Sequence, residues 1–358
     1  MTRAAGLWER VDRNFKVLVA VAVVLALLPL LLQGASLEIG IRILLFAMLA
    51  TAWNLMAGYA GLFSFGHAAY FGLGAYATAV LQVDYGWSPW LGMLVGMVLA
   101  GLFAVLTGYL SFRYRLKGAY FVLTTFAFAE MLRLIFLHWE FVNRAIGFRV
   151  PLIRDGSWTD MQFPPSSPAY YYVVLGMLLA VLIVVILLMR SRSGYYIVAI
   201  RDNEEAAAAL GVNPMRYKLY AVALSGALTA MGGTFYFQYI FFIDPTLAFG
   251  PAVSIQILLP AIIGGMGTMW GPLIGAFLLV PLGEVTSGLV RNPPELLSFL
   301  SGRAGLDLMF FGALLVAIIM FLPKGVYGST AHTVTVRRQR RQRAPSAAAV
   351  GSGSEDGT

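Results

Sequence analysis

Apolar residues run through this chain in blocks long enough to cross a bilayer, parted by short polar stretches. About ten such blocks are read, at roughly 17–33, 37–57, 67–83, 89–111, 118–137, 169–189, 219–242, 251–267, 272–290 and 305–322. The pattern predicts an all-α, polytopic integral membrane protein of about ten transmembrane helices. The longest polar interruption is Arg190 to Lys218, RSRSGYYIVAIRDNEEAAAALGVNPMRYK. Read locally, it is two short helices with a hinge. Asp202 is read as an N-cap, with Glu205 three places on in the manner of a capping box. Glu204 to Leu210 is strongly helix-forming, and Gly211 sits where a helix ends in a left-handed residue. Asn213 caps again, with Pro214 in the first turn, where its missing N–H does no harm. Such an elbow between hydrophobic blocks serves as a lever or as a solvated loop.

Composition agrees with the pattern: 59% of residues are apolar and 12% charged. The chain has no cysteine, which excludes disulfides and thiolate metal sites. Its net charge of +8 is placed on flanks of the spans and does not indicate nucleic acid. With both termini inside, the cytoplasmic side collects the arm at 1–16, the 113–117 connection, the elbow and the tail, 18 of the 25 Lys and Arg. The opposite side receives Arg144, Arg149, Arg154, Arg291 and Arg303. This asymmetry predicts cytoplasmic termini and a cytoplasmic elbow, in a plasma (inner) membrane protein. The first run is long and no clear small-residue site follows it, so it reads as a span and not as a cleavable leader. The expected organisation is a basic arm at 1–16, a transmembrane domain at 17–328 containing the 190–218 loop, and a disordered basic cytoplasmic tail at 329–358. The tail's RRQRRQR at 337–343 suits anionic lipid headgroups, or only reinforces topology.

Within the membrane region, GYAGLFSFGHAAYFGLGAY at 58–76 is the densest in glycine. Gly58, Gly61 and Gly66 are expected to bend or break a helix, with Ser64 and His67 offering hydrogen bonds beside them. Irregular backbone at that depth is tolerated where it packs inside protein or lines a cavity, so the block is a translocation pathway, a partner interface or a tight crossing. Glu130 and Arg133 share a helix face. Left unpaired, each would cost roughly 2.5–3.5 kcal/mol in the membrane, so mutual pairing is expected ahead of a substrate contact. The 138–169 connection reads as an ordered external cap. Phe65-Gly66-x-Ala68 is echoed by Phe249-Gly250-x-Ala252 at the opposite ends of their spans, as an inverted repeat of spans 2–5 and 7–10 would place them.

Enzyme chemistry finds no support. No phosphate-binding G-x-x-x-x-G-K-[ST] loop accompanies the four lysines, and neither a zinc-protease motif nor a nucleophile elbow occurs.

Glu205-Ala206-Ala207, three residues and Gly211 resemble the EAA loop with which permeases of ATP-binding-cassette (ABC) importers dock into their ATPase subunits. The fuller motif has an Ile-x-Leu-Pro tail where this chain has Ala221 to Leu224. The wider stretch RDNEEAAAALGVNPMRYKLYAVALSGALTAMGG, the 58–76 block, GGMGTMWGPLIGA and FLPKGVYG are similar to branched-chain amino acid permeases of the LivM type, over about residues 42–328. The resemblance implies half of a translocation pathway for branched-chain amino acids, with urea or short amides as related cargo. It implies a second homologous permease, two ATPase subunits and a soluble substrate-binding protein as partners. ATP and Mg would sit on the ATPase subunits, with no cofactor on this chain. It gives Arg201, Asp202, Glu204, Glu205, Ala206, Ala207 and Gly211 an ATPase-coupling role. A secondary transporter working without an ATPase, or a membrane assembly protein, are the competing classes.

Overall fold

The computed structural model describes residues 2–32, 34–151, 157–164 and 167–291, together with 312 and 320. The expected span at 305–322, apart from those two residues, and the tail at 329–358 lie outside the described residues. The long helices are α1 (Thr2–Leu27), α2 (Ala35–Asn54), α3 (His67–Val83), α4 (Pro89–Arg113), α5 (Ala119–His138) and α6 (Ala169–Arg190). Two short helices follow, α7 (Arg192–Asp202) and α8 (Glu204–Ala209). The chain then runs through α9 (Pro214–Ile240), α10 (Pro245–Phe249), α11 (Pro251–Gly264) and α12 (Gly271–Arg291). A two-residue ribbon pairs β1 (Phe148–Arg149) antiparallel with β2 (Phe242–Ile243).

Among the described residues, five segments are long and apolar enough to cross a membrane: 35–59, 89–113, 119–138, 169–190 and 245–264. The stretches 15–30 and 271–286 are shorter apolar helices. The expected spans at 67–83 and 219–242 form α3 and α9, which fall outside those five for a physical reason. They are the innermost helices, packed on one another and on α4. Ser225, Thr229, Thr234 and Gln238 of α9 are fully buried, so this helix meets other helices where a peripheral one would meet lipid.

Small residues bring these inner helices together, since without a solvent contrast between lipid and leucine it is close packing that holds membrane helices. A Cβ on Gly74 would stand 2.0 Å from the carbonyl oxygen of Ala230, and one on Gly233 would stand 1.9 Å from that of Phe71. Thr78 and Thr234 hydrogen-bond across the same crossing at 2.8 Å.

The contacts recur in matched pairs. α3 packs on α4 as α11 packs on α12; α4 packs on α9 as α12 packs on α2; and α3 packs on α9 as α11 packs on α2. Gly66 precedes α3 as Gly250 precedes α11. At the end of the bundle away from α7 and α8, the 138–169 connection packs as a cap. Trp90 donates to Trp158 O at 2.7 Å, Ser88 to Thr159 O at 2.6 Å, and Gln162 to Pro151 O at 2.8 Å. Beneath it Tyr76 stacks on Phe249, their ring centroids 5.6 Å apart, and Phe136 lies 4.7 Å from Phe249. On α5 the expected pairing is present: Arg133 grips Glu130 through Nε at 2.9 Å and Nη2 at 2.6 Å.

Replacing Gly233 with Leu should prise α3 from α9 and lower the melting temperature of the detergent-purified protein by several degrees, overpacking costing about 1–3 kcal/mol. Gly176→Ala on α6, where a Cβ meets nothing within 4 Å, should leave it unchanged or slightly raised.

Candidate functional site

The elbow and the glycine block, read separately in the sequence, meet in the fold. α2 does not stop cleanly. It widens into a π-helical turn at Leu55–Tyr59, then runs irregularly through residues 60–66 to α3, with Gly61 in the left-handed region at φ +71°. The expected break is therefore present, and it leaves backbone groups that must be satisfied without water.

Side chains serve the break at Gly58 O, Ser64 O and Phe65 N, the last donating to Thr125 Oγ1 at 3.3 Å, and Asn54 braces it from the side. Arg201 of α7 donates from Nη1 to the carbonyl oxygen of Gly58 at 3.0 Å. Asn54 accepts from Gly267 N at 2.8 Å and donates to Thr268 O at 2.9 Å, holding the loop between α11 and α12 against the turn. Trp53, fully buried, donates to Ser64 O at 2.8 Å. Gly58 has no room for a side chain, since a Cβ would lie 2.1 Å from Asn54 Oδ1 and 2.4 Å from Gly267 N. At Gly61 a Cβ would meet Arg201 Cγ at 2.8 Å. The guanidinium of Arg201 also reaches Asp202 Oδ1 through Nε at 3.0 Å and Nη2 at 2.9 Å.

Ser64, Gly66 and His67 are buried. Ser64 Oγ accepts from Gly66 N at 3.0 Å, and Gly66 lies against the Thr125 carbonyl of α5. Ser225 of α9 donates to Ala52 O at 2.7 Å, so its oxygen accepts from His67 Nε2 at 2.9 Å. That fixes the imidazole with its proton on Nε2 and an acceptor at Nδ1.

The elbow is capped differently from the sequence reading. Asp202 is the last residue of α7 and does not cap α8, and Glu205 does not reach back to it. The cap is Asn203, whose extended backbone (φ −157°, ψ 104°) lets Oδ1 accept from Ala206 N at 2.9 Å. α7 continues helically to Asp202, which leaves only the next residue free to adopt a cap geometry. Ser191 caps α7 by accepting from Gly194 N. Asn213 caps α9 as expected, with Pro214 after it, and Gly211 is left-handed at φ +85°. Ala207 turns inward, while Glu205, Ala206, Leu210 and Gly211 are exposed. Leu210 is 85% exposed, an apolar knob at the tip.

Glu204 anchors the near side. Its carboxylate lies 2.7 Å from Lys218 Nζ on α9 and 3.3 Å from Lys117 Nζ in the connection between α4 and α5. Burial pushes this carboxyl up, but the hydrogen bond and charge of Lys218, backed by those of Lys117, outweigh it and hold it below its ordinary value. Between these groups a cleft of about 240 Å³ is lined by Gly61, Phe63, Lys117, Phe121, Arg201 and Glu204. Among the described residues, no group of three or more His, Asp or Glu could hold a metal ion.

Asn54, Lys117, Lys218, Leu210 and Gly267 were not singled out from sequence. Asn54 carried a signal, as a lone amide inside an apolar run, where a polar side chain needs a partner.

A family model described as "Branched-chain amino acid transport system / permease component" matches residues 36–319. The chain is 27% identical over 336 residues to the high-affinity branched-chain amino acid transport system permease protein LivM of Escherichia coli (strain K12), covering 87% of this chain and 75% of that one. The LivM protein of Salmonella typhimurium matches at the same identity and coverage. The autoinducer 2 import system permease protein LsrC of Yersinia pestis is 30% identical over 114 residues, 31% of this chain and 32% of its own. No solved structure gives a significant match.

Because the Glu204 carboxyl is held below its ordinary value, its anchoring is complete above the unfolded carboxylate range and is lost as pH falls through the lowered value. Limited proteolysis at the elbow should therefore be slow at neutral pH and accelerate in acid. Glu204→Gln should be cut rapidly even at neutral pH, with no acid step remaining.

Proposed function

This chain belongs to the family of branched-chain amino acid transport permease components, and on that premise we propose that it forms half of the translocation pathway of an ABC importer for branched-chain amino acids. It is a transport permease component, not an enzyme. In this reading a second homologous permease completes the pathway, two ATPase subunits hydrolyse ATP with Mg, and a soluble binding protein delivers the substrate. This chain binds no cofactor of its own.

The observation that carries the reading is the pin between elbow and break. The exposed side of the elbow, Glu205, Ala206, Leu210 and Gly211, faces the ATPase. The buried Ala207, with Arg201 held on Gly58 and Glu204 on Lys218 and Lys117, passes its movement on, while Asp202 pairs with Arg201 at the exposed surface. When the ATPases close, the elbow moves as a short rigid body. Arg201 then draws on Gly58 at the turn ending α2, and Glu204 draws on Lys218 and Lys117. Gly58, Gly61, Ser64, Gly66 and His67 thus form the hinge beside the pathway, where a small displacement re-aims α2 against α3. The matched helix contacts support an inverted repeat of spans 2–5 and 7–10, with about ten spans in all. The charge asymmetry supports cytoplasmic termini and the 1–16, 17–328 and 329–358 organisation.

Two variants separate docking from transmission in the reconstituted complex. Leu210→Asp should strip the ATPase during purification. Arg201→Ala should retain it but lower substrate-stimulated hydrolysis and uptake by roughly ten-fold, about 1.4 kcal/mol of coupling. Normal uptake in Arg201→Ala would remove the pin, and full ATPase retention with normal stimulation in Leu210→Asp would remove the docking role.

Orientation is tested separately. The chain has no native cysteine, so Thr159→Cys and Ala208→Cys each give one label. An impermeant thiol reagent on sealed cells should label the first and spare the second. Labelling of both would overturn the proposed topology.

A further inference from the structure

An ion pair apart from the elbow and the hinge joins two long helices. Arg42 of α2 is paired through Nη1 with Glu284 of α12, the two helices being packed together. Each residue lies seven positions inside its helix, counted from Ala35 and from Arg291, or roughly 10 Å at helical rise. Both positions are on the end of the bundle away from the elbow. The pair is not enclosed: the side chains are 45% and 38% exposed.

This placement is costly against lipid, where charged side chains are rarely left facing the hydrocarbon. The pair on α5 avoids much of that cost by closing on itself along one helix, with its side chains only 22% and 31% exposed. Arg42 and Glu284 come from different helices and keep more open surface. Polar side chains are exposed on the same group of helices, among apolar ones such as Ile255 and Val285. Glu38, one turn from Arg42, is exposed, and so is Gln256 on α11, the helix packed on both α2 and α12. Tyr236 lies within electrostatic reach of Arg42. A polar patch of this kind, sunk in an apolar bundle, is what the wall of a water-filled path requires.

We propose that Arg42 and Glu284 are the charged recognition point of the translocation pathway, where they take a zwitterionic amino acid by exchanging their own pairing for its α-carboxylate and α-ammonium. The exchange conserves charge: the guanidinium passes from one carboxylate to another, and Glu284 from one cation to another. Neither protein charge is left bare at any stage, which matters where an uncompensated charge is expensive. A singly charged solute strands one member of the pair and a neutral one replaces neither partner, so both are rejected. The proposal rests on the permease reading and deepens it by naming which side chains hold the substrate's charged end.

The test uses the complete importer in proteoliposomes, with radiolabelled leucine as probe. Arg42→Gln and Glu284→Gln should each lower uptake roughly ten-fold while keeping the ATPase subunits bound, and Arg42→Lys should recover part of it. In the same complexes a cysteine at Gln256 should react with a cationic methanethiosulfonate reagent, and more slowly once Glu284 is neutralised. Near-normal uptake in both Gln variants would overturn the proposal, as would full rescue by exchanging the two charges, which marks a simple staple between helices. An unreactive cysteine at position 256 would overturn it too, because the face is then dry. If the wild-type importer itself fails to move leucine, it is the substrate of the permease reading that falls.

Discussion

Backbone amides among apolar helices have no water to bond with, and the stretch between α2 and α3 is built under that constraint. A continuous helix satisfies its own carbonyls; a broken one must borrow donors. Here the guanidinium of Arg201, far along the chain, serves Gly58, and the indole of Trp53, on α2 itself, serves Ser64. The Asn54 amide meanwhile stitches the turn to residues 267 and 268. The contacts of Arg201 and Asn54 tie this region to α7 and to the loop between α11 and α12, which is what the proposed transmission requires.

The elbow divides its charges by the same logic. Glu204, flanked by Lys117 and Lys218, and Arg201, resting on Gly58, are spent on holding α7 and α8 to the bundle. The rest of the tip exposes three alanines, Gly211, Leu210 and Glu205. In the proposed docking role such a surface is gripped mainly by shape and apolar contact, on residues other than those that anchor the elbow.

Much of this architecture was legible in the sequence because bilayer crossing imposes a length that polar residues punctuate. The expected boundaries at 67, 83, 89, 169 and 251 coincide with helix ends, several fixed by Pro89, Pro168 or Pro251, where the ring stops or starts a helix. The left-handed Gly211 and the break near Gly58 were legible too, since glycine carries its backbone preference with it. What stayed hidden depends on contacts far apart in sequence. The partner of Arg201 is 143 positions away and that of Arg42 is 242, and no local pattern announces either. The cap at Asn203 was missed for a local reason: Asp202 and Asn203 are both good caps, and the choice turns on where α7 ends.

The two breaks in the bundle differ in a way that bears on how movement enters. The second break, between α9 and α11, lies at the end away from the elbow and closes on itself. Asp244 accepts from Thr246 N at 2.7 Å and Leu247 N at 2.9 Å, and β2 pairs with β1 of the cap. Its polar groups are satisfied within a few residues or by the cap, so nothing near the elbow holds it. The first break is satisfied from afar and has a handle. If the halves are the proposed inverted repeat, symmetry of backbone is combined with asymmetry of support: one hinge is driven, the other is fixed to the cap. In the proposed mechanism a displacement applied at Arg201 tilts α2 as a rigid rod. The hinge and the Arg42–Glu284 pair sit towards opposite ends of that helix, so a tilt about its middle carries Arg42 relative to Glu284 and alters the distance across which the pair, or a substrate between its members, must reach.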